Sequence, residues 1–227
     1  PSSSIFSFGT SDFTVSTWFR SDDLTGDIRH TVRNIGGNKY FELSASNAAN
    51  GNLSSFGIHD GYNYYEAFES SIDLDDNQWH LITGVRFQDT IVYYIDGVLQ
   101  SKVFIPTSVD LNNLNDFTIG AKDYNSFSQI MQHKLDGVQI WNLALTQQEI
   151  QNYMNCPPTG NETGLVGYWN FEEGSGTTAY DQTSNGNNGT INGSTYDTNV
   201  PSQSCALTNA NGCDSTAVLV LTINNSV

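Results

Sequence analysis

Residues 79–100 read WHLITGVRFQDTIVYYIDGVLQ, and this stretch decides the fold. Side chains alternate along an extended chain, so Trp79, Leu81, Thr83, Val85 and Phe87 share one face. A β-branched and aromatic run from Ile91 to Ile95 follows the polar break at Gln88 to Thr90. Asp96-Gly97 is the dipeptide that most readily takes the positive φ angles of a two-residue type I′ turn. The stretch predicts three antiparallel strands in a meander.

Working outward, Phe13 to Trp18 predicts an early core strand with Phe13, Val15 and Thr17 on one face and Thr14, Ser16 and Trp18 on the other. Ile28 to Ile35, Tyr40 to Ala45 and Leu53 to His59 read as strands, separated by Gly36-Gly37-Asn38 and Asn50-Gly51-Asn52. Such even spacing signals a sandwich or barrel. Between Asp60 and Ser71 lies a tyrosine-rich loop, and Lys122 to Met131 forms another around Asp123, Tyr124 and Phe127. These two loops are the expected ligand-facing elements. Thr146-Gln147-Gln148-Glu149 is a capping box that predicts a short helix to about Met154, ended by Cys156-Pro157-Pro158.

A Trp-His at the head of a strand followed by Tyr-x-Asp-Gly at the next turn resembles the laminin-G-like, concanavalin A-like family. Phe13 to Trp18 resembles its early core strand, and Phe117-Thr118-Ile119-Gly120 its later one. Leu135 to Thr146 resembles its closing strand and the loop beyond. The resemblance implies an all-β, two-sheet jelly-roll sandwich with one short helix. The order departs from the family pattern near the end, where Gly164 to Phe171 and Asp181 to Thr190 look like an opening segment. Either a second domain is cut short or the fold is circularly permuted. No second Trp-His hairpin follows, so permutation is the reading taken, with residues 1–205 as the sandwich and 164–193 completing it. Residues 206–227 resemble the tail of Ig-like repeats found along large secreted bacterial surface proteins.

Composition narrows the partners. Eight Lys and Arg stand against 24 Asp and Glu, a formal charge of −16 that repels phosphate backbones and anionic lipids. Nucleic acid is therefore excluded as a partner, and no apolar run approaches the ~20 residues of a membrane span. The three cysteines, Cys156, Cys205 and Cys213, fit one disulfide and an odd thiol in an extracellular compartment. The permuted reading pairs Cys156 with Cys205, clamping the transplanted segment. The rival pairing is Cys205 with Cys213.

Catalysis finds little purchase in this sequence. No Glu-x-Asp-x-x-Glu strand of the concanavalin A-like glucanase type occurs, and Glu66 and Glu69 fall three apart without a strand pattern. The resemblance implies a structural Ca2+ site, with Asp181, Asn185 and Asn187 of the Asn/Gly loop joined by Asp136 of the closing strand; the plainer alternative is that Asn and Gly simply make turns. Stacking aromatic faces beside polar groups suit a sugar, which nominates Tyr62, Tyr64, Asp60, Asn63, Tyr124 and Asp123. Arg33 can orient an acidic sugar or pair with a neighbouring acid. Trp18, Trp79, Trp141 and Trp169 sit in strand patterns and are assigned to the core. The expected function is a noncatalytic extracellular carbohydrate-binding or adhesion module, its partner a glycan or cell-surface polysaccharide. The alternatives are a spacer or protein-binding domain of a surface adhesin, and, less favoured, a glycoside hydrolase.

Overall fold

The computed structural model describes residues 4–21, 29–34, 38–45, 54–112, 117–120 and 133–205. Thirteen strands and one helix lie within these residues. In chain order the strands are β1 (Phe13–Arg20), β2 (Arg29–Asn34), β3 (Lys39–Ala45), β4 (Ser54–Asp60), β5 (Tyr64–Glu69), β6 (His80–Phe87), β7 (Thr90–Ile95), β8 (Val98–Phe104) and β9 (Phe117–Ile119). After them come β10 (Lys134–Trp141), α1 (Gln147–Asn155), β11 (Leu165–Trp169), β12 (Thr178–Ala179) and β13 (Gly189–Thr190). One sheet has six strands in the order β11-β10-β1-β6-β7-β8 and faces a five-stranded sheet ordered β5-β4-β3-β2-β9. This is the two-sheet jelly-roll sandwich with one helix.

Alternation places the core. Phe13, Val15, Phe19, Ile82, Ile91 and Tyr93 of the six-stranded sheet meet Val32, Phe41, Leu43, Phe56 and Ile58 of the other, all fully or almost fully buried. At Gly84 the Phe56 ring of the facing sheet comes so near that a Cβ would lie 2.2 Å from it. Each phenylalanine buried this way contributes roughly 1.5–3 kcal/mol of transfer free energy. The meander forms as its sequence directs, with Asp96 at φ 51° and Gly97 at φ 66° in the second turn.

The face shared by Leu81 and Val85 is not the one between the sheets. With Trp18, Val92, Trp141 and Tyr168 it forms a second apolar layer, covered by Leu145 and by Ile150 of α1. Phe87, on the same alternation, is half exposed because it ends its strand beyond that cover. The helix starts where the capping box puts it: Thr146 Oγ1 accepts the Glu149 amide at 3.3 Å and the Glu149 carboxylate accepts the Thr146 amide at 2.7 Å. Trp18, Trp141 and Trp169 are buried, and Trp79 packs partly buried against the second layer.

Leu165–Trp169 joins the six-stranded sheet as its edge, pairing Val138 with Trp169 and Ile140 with Gly167. Trp169 stacks on Phe117, 5.5 Å between ring centres, and Phe117 on Phe6 at 5.2 Å, so one aromatic column ties both sheets to the first turn of the chain. Cys156 and Cys205 form a disulfide across 49 residues. Beside it Ser204 donates its amide to the Asn155 carbonyl at 2.9 Å.

Two expectations change here. Residues 64–69 are not loop but the edge strand β5, hydrogen-bonded to β4 from Ser54↔Glu69 to His59↔Tyr64. The strand escapes a pattern search because tyrosines stand on both of its faces and Phe68 points to solvent, blurring the alternation. Glu66 and Glu69 therefore do lie on a strand. Asp123, Tyr124, Cys213 and the tail 206–227 fall outside the described residues.

Candidate functional site

The outer face of the five-stranded sheet is polar and aromatic, because the residues that alternate with its core set point away from the sandwich. Register sets two rows. Arg33, Glu42, Gly57 and Glu66 lie opposite one another on β2 to β5, and Tyr40, His59 and Tyr64 lie opposite one another on β3 to β5. Arg33 Nε is 3.1 Å from Glu42 Oε2, and its guanidinium sits 4.4 Å over the Tyr40 ring. Tyr40 stacks on His59, 5.1 Å between centres.

Tyr64 closes the group. Its ring crosses Gly57, and its hydroxyl lies 2.8 Å from Glu42 Oε1 and 3.2 Å from Glu66 Oε1. Burial first, then the negative charge of Glu42 and Glu66, pushes this phenol far above the ordinary tyrosine range. It stays a hydrogen-bond donor at every physiological pH. Glu42 is thus committed to Arg33 and Tyr64, while Glu69 accepts from Ser70 and Ser71 in its own turn. Two carboxylates, Glu42 and Glu66, meet at the one hydroxyl of Tyr64.

The turn from β4 to β5 uses its acid internally. Asp60 Oδ1 accepts the Tyr62 amide at 2.8 Å and the Asn63 amide at 2.7 Å, and Gly61 takes φ 100°. Those bonds, the Asn63 amide foremost, hold the Asp60 carboxyl below the usual carboxylate range. Asp60 and Asn63, expected as partners for sugar hydroxyls, are therefore chiefly turn formers. They leave Tyr62 at the tip with 91% of its surface exposed.

Asp181 does not fit calcium. Its Oδ1 accepts the amides of Tyr168 at 3.0 Å and Thr183 at 2.9 Å. Its Oδ2 accepts the Thr183 hydroxyl at 3.0 Å, the Asn187 amide at 2.9 Å and Asn187 Nδ2 at 3.1 Å. Five donors converge on the carboxylate, and a cation at these oxygens would face their hydrogens. Asn185 and Asn187 turn their Nδ2 groups to the Val166 carbonyl, 3.1 and 3.4 Å away, and so bind the loop to β11. Asp136 takes a separate part: burial, with Glu172 adding repulsion, pushes its carboxyl up to about 6. No group of three or more His, Cys, Asp or Glu poised for a metal occurs among the described residues.

Sequence nominated Arg33 and Tyr64, and the structure joins them through Glu42. It adds Tyr40, Glu42 and His59, which the sequence does not single out as binding residues, and Glu66, considered there only as a catalytic carboxylate. Their signal lies in β3 and β4, where the core residues Phe41, Leu43, Phe56 and Ile58 leave Tyr40, Glu42, Gly57 and His59 on the opposite face.

The family profile described as the Concanavalin A-like lectin/glucanases superfamily matches residues 2–151. No curated protein matches the sequence. Among solved structures, a candidate carbohydrate binding protein from Bacteroides ovatus superposes with a TM-score of 0.61 at 18% identity, covering 82% of this chain and 53% of that one. The binding domain of Paraclostridial Mosquitocidal Protein 1 gives 0.53 at 20% identity, over 66% and 38% of the two chains. The heptameric SAP-like pentraxin of Limulus polyphemus gives 0.50 at 11%, over 66% and 72%. This chain spans about half the length of the Bacteroides protein. Identities at this level speak for the shared fold alone.

Proposed function

The chain belongs to the laminin-G-like branch of the Concanavalin A-like lectin/glucanases superfamily, and on that premise we propose that it is a noncatalytic, extracellular saccharide-binding module. The single observation that carries the reading is the outer face of the five-stranded sheet, with Tyr64 pinned between Glu42 and Glu66 and Tyr62 exposed at the tip of the adjoining β4–β5 turn. A fixed aromatic and a fully exposed one give a sugar two apolar faces, and carboxylates held in place accept hydroxyl hydrogens without reordering. The likeness to a candidate carbohydrate binding protein supports the same class. Arg33 enters as a positioning residue: it is spent on Glu42 and Tyr40, so the preferred ligand is neutral rather than acidic.

Calcium enters this reading through Asp136 alone among the four residues first considered, because a desolvated carboxylate beside Glu172 gains from a cation whereas Asp181 has no oxygen to offer. The metal's part there would be to stabilise the fold. The disulfide and acidic charge accord with a secreted or cell-surface setting.

A glycan array tests the reading, with Tyr62→Ala and Tyr64→Phe as controls. Binding of a neutral glycan, weakened by both substitutions, is the expected result. Silence across neutral and acidic glycans, with a cell-surface protein captured instead, would favour the adhesin-spacer function.

A further inference from the structure

The loop that follows β11 forms an open cleft of about 360 Å³, lined by Asn170, Glu172, Glu173, Tyr180 and Gln182 and remote in sequence from the tyrosine-bearing sheet face. Its volume is at the lower end of the range for small-ligand sites. We propose that this cleft is a second saccharide site, which takes a neutral, hydroxyl-rich sugar residue on the face of Tyr180. The ligand class rests on the saccharide-binding reading above; the place does not.

The walls are built before any ligand arrives. Glu173 is fixed at both oxygens, by the Tyr180 amide at 2.8 Å and the Tyr196 hydroxyl at 3.1 Å. Tyr180 and Gln182 flank Asp181, whose five hydrogen bonds lock the backbone between them. Gln182 is steadied further by its amide to the Tyr168 carbonyl at 2.7 Å and by Nε2 to the Tyr180 carbonyl at 3.1 Å. Phe171 sits between Asn170 and Glu172 at φ 54°, a backbone state costly for a bulky residue, while its side chain packs on the core. That strained residue holds its two neighbours in the cleft.

The chemistry of the lining selects the ligand. Tyr180 leaves 52% of its surface exposed, an aromatic face for sugar C–H groups. Asn170 Oδ1 is a buried acceptor without a hydrogen-bond partner. Glu172 accepts no hydrogen bond from any described residue, and Gln182 offers Oε1 while its Nε2 is engaged. These are acceptors wanting donors, which hydroxyl groups provide. Asn170 lines the cleft, and a ligand that uncovers its Oδ1 to a hydroxyl supplies the hydrogen bond which that buried acceptor lacks. Glu172, Glu173 and nearby Asp136 repel sugars that carry carboxylate or sulfate.

The test is calorimetric titration of the disulfide-bonded protein with soluble cello-, xylo-, manno- and arabino-oligosaccharides and with glucuronate oligomers, each in calcium and in chelator. Tyr180→Ala and Asn170→Ala should each weaken binding of a neutral oligosaccharide at least tenfold while leaving the melting temperature near that of the parent. Tyr62→Ala should not affect this site, so its failure and that of the sheet-face site are read separately. The proposal is overturned if no neutral oligosaccharide binds, if binding ignores Tyr180→Ala and Asn170→Ala, or if only glucuronate oligomers bind. It is equally overturned if the cleft takes calcium alone and oligosaccharides leave that titration unchanged.

Discussion

The hydroxyl of Tyr64 occupies the space over Gly57 that a side chain would fill, since a Cβ built there would stand 2.1 Å from the phenol oxygen. The absence of a side chain at Gly57 is what allows a tyrosine on the edge strand to reach Glu42 two strands away. Gly57→Ala should therefore evict the Tyr64 ring and release its phenol from Glu42 and Glu66. The strongly raised ionisation of that tyrosine would fall back toward about 10, the ordinary value. Ultraviolet difference titration of Gly57→Ala against Tyr64→Phe reads the change. An unchanged tyrosine titration would mean that the ring does not depend on the glycine.

His80 and Asp96 join the head of β6 to the turn between β7 and β8, with Nδ1 2.8 Å from Oδ2 and the Leu81 amide 2.8 Å from Oδ1. The Asp96 hydrogen bond is the largest cause raising the His80 pKa; burial opposes it, and the charges of Asp96 and Asp76 add to the rise. A folded-state pKa above the unfolded one means that the protonated form is preferentially stabilised. This contribution is fully present below about pH 6.5 and is lost as pH rises through the folded value. Urea midpoints should thus fall with rising pH in the parent relative to Asp96→Asn. Parallel profiles would place the coupling elsewhere.

The meander and the capped helix were legible in sequence because local chemistry determines them: Asp96-Gly97 fixes one turn and Thr146 with Glu149 fixes one helix start. The fold class followed from such signals in series. The sheet-face cluster was only half legible, since Arg33 and Tyr64 are 31 residues apart and meet through Glu42 by cross-strand register, which one sequence does not state. The Asn/Gly loop reads two ways in sequence for a related reason. A carboxylate among asparagines has the composition of a cation site, but which oxygens face inward depends on amide directions, and here the amides point at Asp181.

Cys156 and Cys205 close a loop of 49 residues that contains β11, β12 and β13. In the chain-entropy account a loop of this size contributes about 4 kcal/mol by constraining the unfolded chain. Reduction, or Cys156→Ser, should lower stability by about 2–4 kcal/mol, seen as a lower denaturant midpoint. Hydrogen bonds from Ser204 and Gln203 to the helix end should keep the native contact in place, so the near-ultraviolet dichroism of Trp141 should survive. A loss of native dichroism on reduction would mean that the bridge also holds the helix.

Asp181 gives the sharpest test of how the Asn/Gly loop is held. The side chain is 8% exposed and receives three backbone amides, one hydroxyl and one side-chain amide. Asp181→Ala leaves the buried donors without a partner, each costing about 1–3 kcal/mol. Asp181→Asn is nearly the same size yet turns an NH2 group toward donors, so it relieves only part of the loss. Both variants should melt well below the parent, by a margin that is the same in calcium and in chelator. Asp136→Asn should behave oppositely: it removes a desolvated charge, and any stabilisation of the parent by calcium should vanish in it. Thermal melts of the three variants, each with and without chelator, decide the matter. If the Asp181 variants lose a calcium-dependent increment that Asp136→Asn retains, the loop is a metal site after all and the hydrogen-bonded strut is not its native state.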